Sequence, residues 1–142
     1  MYKRQTQYLA RDPLEERAII EQLYAASQGK TWIGFNTEAF DIKRIQARAH
    51  TLREPEKHLD LYVLLKSALH GKGFQKKTLQ ELELSLFHHS RTNDIAGREI
   101  GPAYREYLAG GSPDRLVRAV THNREDIITL AALYAKAVLD KN

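Results

Sequence analysis

Two acidic side chains stand out because their neighbours are of the types that chemistry needs. The stretch Asn36-Thr37-Glu38-Ala39-Phe40-Asp41 follows a short β-branched and aromatic run, residues 31–35 (TWIGF). Asp41 therefore falls just past the C-terminal end of a predicted strand, in the first turn of the next helix. Open α/β sheets gather their ligands there. The helix dipole favours an aspartate in a first turn as well, so position alone serves either use. Phe40 is expected to pack inward, and the Asn36 side-chain amide to fix the turn. Far along the chain, His122 and Asp126 are four residues apart and share one helix face. Ile127, Leu130, Ala131, Tyr134 and Val138 are expected to form the apolar stripe beside them. Asp126 then sits at the border of the buried face, where a carboxylate needs a cation or a strong donor. His122, one turn away, is placed to act as a general base or proton carrier. A surface His–Asp pair has the same spacing.

Other strings fail on spacing. Gly29-Lys30-Thr31 resembles the end of a phosphate-binding loop, but Tyr24 stands where the first glycine belongs, and a strand follows in place of a helix. His88 and His89 are adjacent with no third ligand at helical spacing, so they are expected to be solvated at a helix end. No Gly-x-Ser-x-Gly elbow is present. Residues 70–77 (HGKGFQKK) interleave Phe74 with Lys72, Lys76 and Lys77. Such a loop suits a phosphate backbone with a stacked base, and equally a plain solvated loop.

The elements that must position these residues follow from periodicity and caps. Residues 5–10 suit a short strand. Asp12-Pro13-Leu14-Glu15 opens a helix with Asp12 as cap and Glu15 reaching back, its stripe running through Leu14, Ala18, Ile19 and Leu23 to an end near Gln28-Gly29. After the strand at 31–35, a second helix carries Ile42, Ile45, Ala49 and Leu52 inward and ends before Pro55. Leu59 to Val63 reads as a short strand running into a helix. Thr78 and Glu81 form a capping box that opens a helix with Leu79, Leu82 and Leu86 inward. A helix around 98–109 is closed by Gly110-Gly111, and a last helical region runs from Ser112-Pro113 to about Leu139 with a break near Thr121. Strands and helices alternate first and helices alone follow, which indicates an α/β layer with a helical C-terminal half.

Composition bounds the partners. The chain has 142 residues, 42% hydrophobic and 28% charged, with no cysteine. That length suits one domain over residues 1–142, and the missing thiols exclude a disulfide scaffold, a thiolate zinc site and a cysteine nucleophile. A reducing, cytoplasmic setting is expected. No apolar run reaches the roughly 18 residues of a membrane span. Twenty-two basic against eighteen acidic groups give a net charge of +4, compatible with a polyanion partner.

Taken in order, the motifs resemble a known family. WIGFNTEAFDIKRIQAR (32–48) resembles the second exonuclease motif of the DEDD superfamily of RNase H-like 3′–5′ exonucleases, and its three-residue gap between Asn36 and Phe40 is like that of family B DNA polymerases and YprB-like proteins. THNREDIITLAALYAKAV (121–138) resembles the third motif, with histidine where polymerase-type members have tyrosine. HLDLYVLL (58–65), KKTLQELEL (76–84), NDIAGREIGPAYREYL (93–108) and QYLARDPLEERAIIEQL (7–23) follow the order and spacing of YprB-type domains. The resemblance covers about residues 5–139 and implies an RNase H-like fold and a 3′–5′ exonuclease-family function on DNA or RNA. It also implies Mg²⁺ or Mn²⁺ ions, with Asp41 and Asp126 as two of four acidic ligands. By the same resemblance His122 orients or deprotonates the attacking water, and Asp60 and Asn123 support the centre from outside. Asn36 supports the Asp41 turn and, with the loop of Lys72, Phe74, Lys76 and Lys77, faces nucleic acid.

The sequence departs from the family at its start. The first motif, an Asp-x-Glu on a hydrophobic strand, supplies the other two carboxylates, and no such strand occurs here. The expectation is an N-terminally incomplete fold with little or no cleavage by this chain alone. Its strand at 31–35 would have an open edge, to be completed by a missing N-terminal segment or by self-association. Two alternatives carry different functions: a non-catalytic nucleic-acid-binding module that keeps the basic loop, and a helical protein-interaction domain.

Overall fold

The computed structural model describes residues 4–49, 55–68 and 78–139. A single 3₁₀ turn, Pro13–Glu15, leads into α1 (Glu16–Ser27), β1 (Trp32–Gly34), α2 (Asp41–Arg48), β2 (His58–Asp60) and α3 (Leu61–Ala68). Helices alone follow: α4 (Leu79–Phe87), α5 (Gly97–Leu108) and α6 (Asp114–Leu139). The protein is thus mixed α/β, with a two-stranded parallel sheet and a helix-rich C-terminal half. Its contacts group into two units, one of residues 8–76 with 132–142, the other of residues 77–131 with 1–7.

The first unit is built on β1-α2-β2. The strands pair in parallel with Trp32 opposite His58, Ile33 opposite Leu59 and Gly34 opposite Asp60. A crossover helix between parallel strands is what brings the end of β1 beside the end of β2. Gly34 is required there: a Cβ would come 2.2 Å from the Thr37 Cγ2 methyl, which folds back over the strand end. Ile20, Ile42, Ala49, Leu61, Leu65 and Leu133 are buried aliphatics of this unit, and Tyr24 packs on Trp32 with ring centroids 5.2 Å apart. Asp12 caps the 3₁₀ turn by accepting from the Leu14 N–H at 2.7 Å. Glu15 reaches back one residue further than expected, to the N–H of Arg11 at 2.9 Å.

In the second unit the capping box opens α4. The Thr78 hydroxyl accepts from the Glu81 N–H at 3.2 Å, while the Thr78 N–H donates to Glu81 Oε2 at 2.6 Å. Leu82 is buried behind it. Ile95, Ala103 and Ala119 form a small core with Ile100 against it.

Several expectations are corrected. Residues 5–10 form no strand, because no neighbouring strand among the described residues supplies ladder partners. The run at 31–35 is strand only over its central three residues. Leu14 is 91% exposed and Ala18 is exposed as well, while Ile20 is the residue that α1 buries. Phe40 is 51% exposed, with the Arg44 guanidinium 4.0 Å over its ring in place of a core neighbour. α6 continues through Thr121, whose hydroxyl bonds back to the Val117 carbonyl at 3.0 Å. Its buried stripe is Leu116, Ala119, Thr129 and Leu133, whereas Ile127, Tyr134 and Val138 are exposed. Leu52 and the lysine-rich loop lie outside the described residues.

Candidate functional site

The rotation of α6 decides which polar groups enter the second unit. Leu116, Ala119, His122, Asp126 and Thr129 recur at steps of three and four, the spacing of one helical face. His122 and Asp126 therefore sit within the inward stripe, with side chains 13% and 30% exposed. Burial at that depth requires partners, and the segment after α4 supplies them. His88 ends α4 in the left-handed conformation, φ 54°, and turns the chain. Arg91 follows, its side chain only 6% exposed.

Arg91 organises three carboxylates. Its Nε donates to Glu83 Oε2 at 2.7 Å. Its Nη1 lies 2.9 Å from Asp126 Oδ1 and 3.5 Å from Asp94 Oδ2, ionic approaches and not aligned hydrogen bonds. Its Nη2 is buried with no hydrogen-bond partner. Asp94 holds His122: its Oδ1 is 2.8 Å from Nδ1. The same oxygen accepts from the Ile95 N–H at 2.8 Å, and Oδ2 accepts from the Gln80 side-chain amide. At the other end of the imidazole, Nε2 is 3.3 Å from Asp126 Oδ2.

The electrostatics follow from that geometry. Burial alone would raise the Asp94 pKa, but the hydrogen bond from His122, then the Ile95 N–H and the nearby charges of His122 and Arg91, bring it below the ordinary value. Burial would likewise lower that of Arg91, and its pairing with Asp126 and Glu83 raises it instead. The cluster is therefore a guanidinium among three carboxylates, with an imidazole hydrogen-bonded at Nδ1 and faced by Asp126 at Nε2. Such an imidazole has one orientation, which is what proton transfer at a defined atom requires.

A second polar arrangement lies in the first unit, at the strand ends. Asp60, buried at the end of β2, accepts through Oδ1 from the N–H of Asn36 at 2.7 Å and of Tyr62 at 3.0 Å. Its Oδ2 accepts from the N–H of Glu38 at 3.4 Å. This carboxylate shapes the loop in front of Asp41; Asn36 contributes its backbone N–H and a left-handed φ of 58°. Thr37 Oγ1 is 2.8 Å from His58 Nε2, and Glu38 Oε1 is 3.5 Å from His58 Nδ1. Asp41 is the first residue of α2 and is exposed.

Of the residues singled out by sequence, His122 and Asp126 thus meet in one cluster, and Asn36 and Asp60 meet in another. Asp41 and Asp126 belong to different units. Asn123 is exposed on α6, and Lys72, Phe74, Lys76 and Lys77 lie outside the described residues. Sequence reasoning missed Glu83, Arg91 and Asp94, because nothing local marks an arginine in a polar segment as buried. It also passed over His89, whose neighbours come from elsewhere. Ligand atoms of Glu83, His89 and Glu125 all lie within 4.8 Å of one another, a spacing from which a metal ion could be held.

These features define an α/β domain whose helical half carries a clamped His–Asp pair. A family model described as the RNase_H superfamily matches residues 2–138, so the chain belongs to the RNase H superfamily. That membership points to nuclease-type chemistry on nucleic acid, which in RNase H-like nucleases usually employs divalent metal ions. Neither the curated proteins nor the solved structures give a match. Among the described residues no helix is long and apolar enough to cross a membrane.

Proposed function

We propose that this chain is a YprB-like, 3′–5′ exonuclease-type domain acting on nucleic-acid phosphodiesters, with slow cleavage at most by the chain alone. The observation that carries this reading is the clamped imidazole: His122 Nδ1 on Asp94 at 2.8 Å, with Nε2 facing Asp126 at 3.3 Å. An imidazole fixed this way is suited to orient an attacking water or take its proton. Asp41 and Asp126 are the ligands assigned to Mg²⁺ or Mn²⁺, which when bound would polarise the phosphodiester and its attacking water. As arranged, however, Asp126 turns one oxygen to Arg91 and the other to His122. An ion at Asp126 has to displace the guanidinium, so the carboxylate does not fit a metal as it stands. This competition between Arg91 and an ion for Asp126 is what supports slow cleavage. Asn36 and the loop of Lys72, Phe74, Lys76 and Lys77 are assigned to the nucleic acid, with Asp60 and Asn123 in support. A family match spanning 2–138 supports treating residues 1–142 as one domain, and the cysteine-free composition fits a cytoplasmic setting.

The neutralisation of Asp126 by Arg91 favours a second reading, a nucleic-acid-binding module that no longer cuts. The two separate on single-stranded DNA and RNA oligonucleotides carrying a 5′ label, with protein in excess and either Mn²⁺ or a chelator. The exonuclease reading expects binding in both conditions and stepwise loss from the 3′ end in Mn²⁺ alone, stopped by a 3′-terminal inverted nucleotide. Binding without shortening establishes the module. Absence of binding to either oligonucleotide contradicts both.

A further inference from the structure

We propose that Glu83, His89 and Glu125 form a binding site for a divalent transition-metal ion, separate from Asp126. The three residues come from α4, from the turn after it and from α6, and their ligand atoms lie within 4.8 Å of one another. Each keeps a free ligand atom. Glu83 spends Oε2 on Arg91 and leaves Oε1 facing His89 Nε2 at 3.7 Å, beyond hydrogen-bond distance. The Glu125 side chain, half-buried, makes no hydrogen bond or ion pair among the described residues. His89 is 56% exposed and free to swing inward by the roughly 1 Å that bonds near 2.1 Å require.

Two observations outside this trio point to a ligand. Glu83 and Arg91, both more than nine-tenths buried, line a cleft of about 430 Å³ together with His89 and Ser90. Arg91 Nη2 is buried without a hydrogen-bond partner, which is costly for a donor that has lost its water. An ion held by three protein ligands would keep positions open for a further ligand, and Glu83 and His89 line the cleft from which it would come. Charge points the same way. The Arg91 guanidinium already faces Glu83, Asp94 and Asp126, and Glu125 adds a further carboxylate near them. One imidazole with two carboxylates selects Zn²⁺, Mn²⁺ or Co²⁺ over Mg²⁺ or Ca²⁺, which prefer oxygen ligands alone.

Calorimetric titration of the full chain with Zn²⁺ tests this. The wild-type chain is expected to bind one equivalent more tightly than any surface histidine does. His89→Ala and Glu125→Gln are each expected to weaken that equivalent by at least about tenfold, while His88→Ala, next door at the helix end, leaves it unchanged. Neither His89 nor Glu125 holds the fold together, and far-UV circular dichroism verifies that both variants are folded. Equal affinity in wild type, His89→Ala and Glu125→Gln overturns the proposal. So does an equal loss in His88→Ala, or no binding by the wild-type chain at millimolar Zn²⁺.

Discussion

Arg91 is the residue on which the polar cluster depends. With its side chain 6% exposed and Glu83 equally buried, the pair is held by mutual compensation and not by water. Arg91→Ala strands at least one buried carboxylate and is expected to cost about 3–5 kcal/mol in urea unfolding. A loss under 1 kcal/mol would mean that solvent reaches Glu83 after all. Asp94 gives the cluster a pH signature. Its folded pKa lies below the unfolded value, about 3.9, so the unfolded chain binds the proton first as pH falls. The stabilisation is fully present above that unfolded value and is lost as pH drops through the folded one. Asp94→Asn is therefore expected to be less stable at pH 7 yet to lose less between pH 5 and pH 2. Parallel acid limbs for the two proteins in a thermal-unfolding series would contradict this.

Among the elements, the end of β1 and the α6 stripe do the positioning. Asp60 holds the loop before Asp41 through three backbone N–H groups. Asp60→Ala leaves them without an acceptor in a half-buried setting, at an expected cost of about 2–3 kcal/mol, with the amide resonances of Asn36 and Tyr62 shifting most by NMR. Unchanged resonances there would show that the loop is fixed by something else. The capping box of α4 and the α2 start at Asp41 were legible in the sequence, because both depend on neighbours three or four residues away. So was the short strand running into a helix at His58 to Leu61. That residues 5–10 would form no strand was not legible, since a strand is made by its partner and no local pattern names one. The α6 stripe was misread because Ile127, Tyr134 and Val138 look apolar whichever way they face. The steps Leu116, Ala119, His122, Asp126, Thr129 carry the signal that would have turned the helix correctly. Arg91 had no such signal: its burial is set by Glu83, Asp94 and Asp126, from 8, 3 and 35 residues away in the chain.

For the whole molecule, RNase H superfamily membership and a net charge of +4 favour a nucleic-acid partner. Association through basic groups releases counterions, so affinity for a single-stranded oligonucleotide in chelator should fall log-linearly with salt, with a slope of about −0.7 per phosphate neutralised. An affinity indifferent to salt would exclude phosphate contacts. In the proposed function the His122–Asp126 pair is the functional centre of an exonuclease-type domain. Its most direct test is the single-turnover rate of 3′-end shortening in Mn²⁺, measured for the wild-type chain and for a folded Asp126→Ala variant. Slow shortening by the wild type that disappears in Asp126→Ala is the predicted result; equal rates in the two proteins would contradict it.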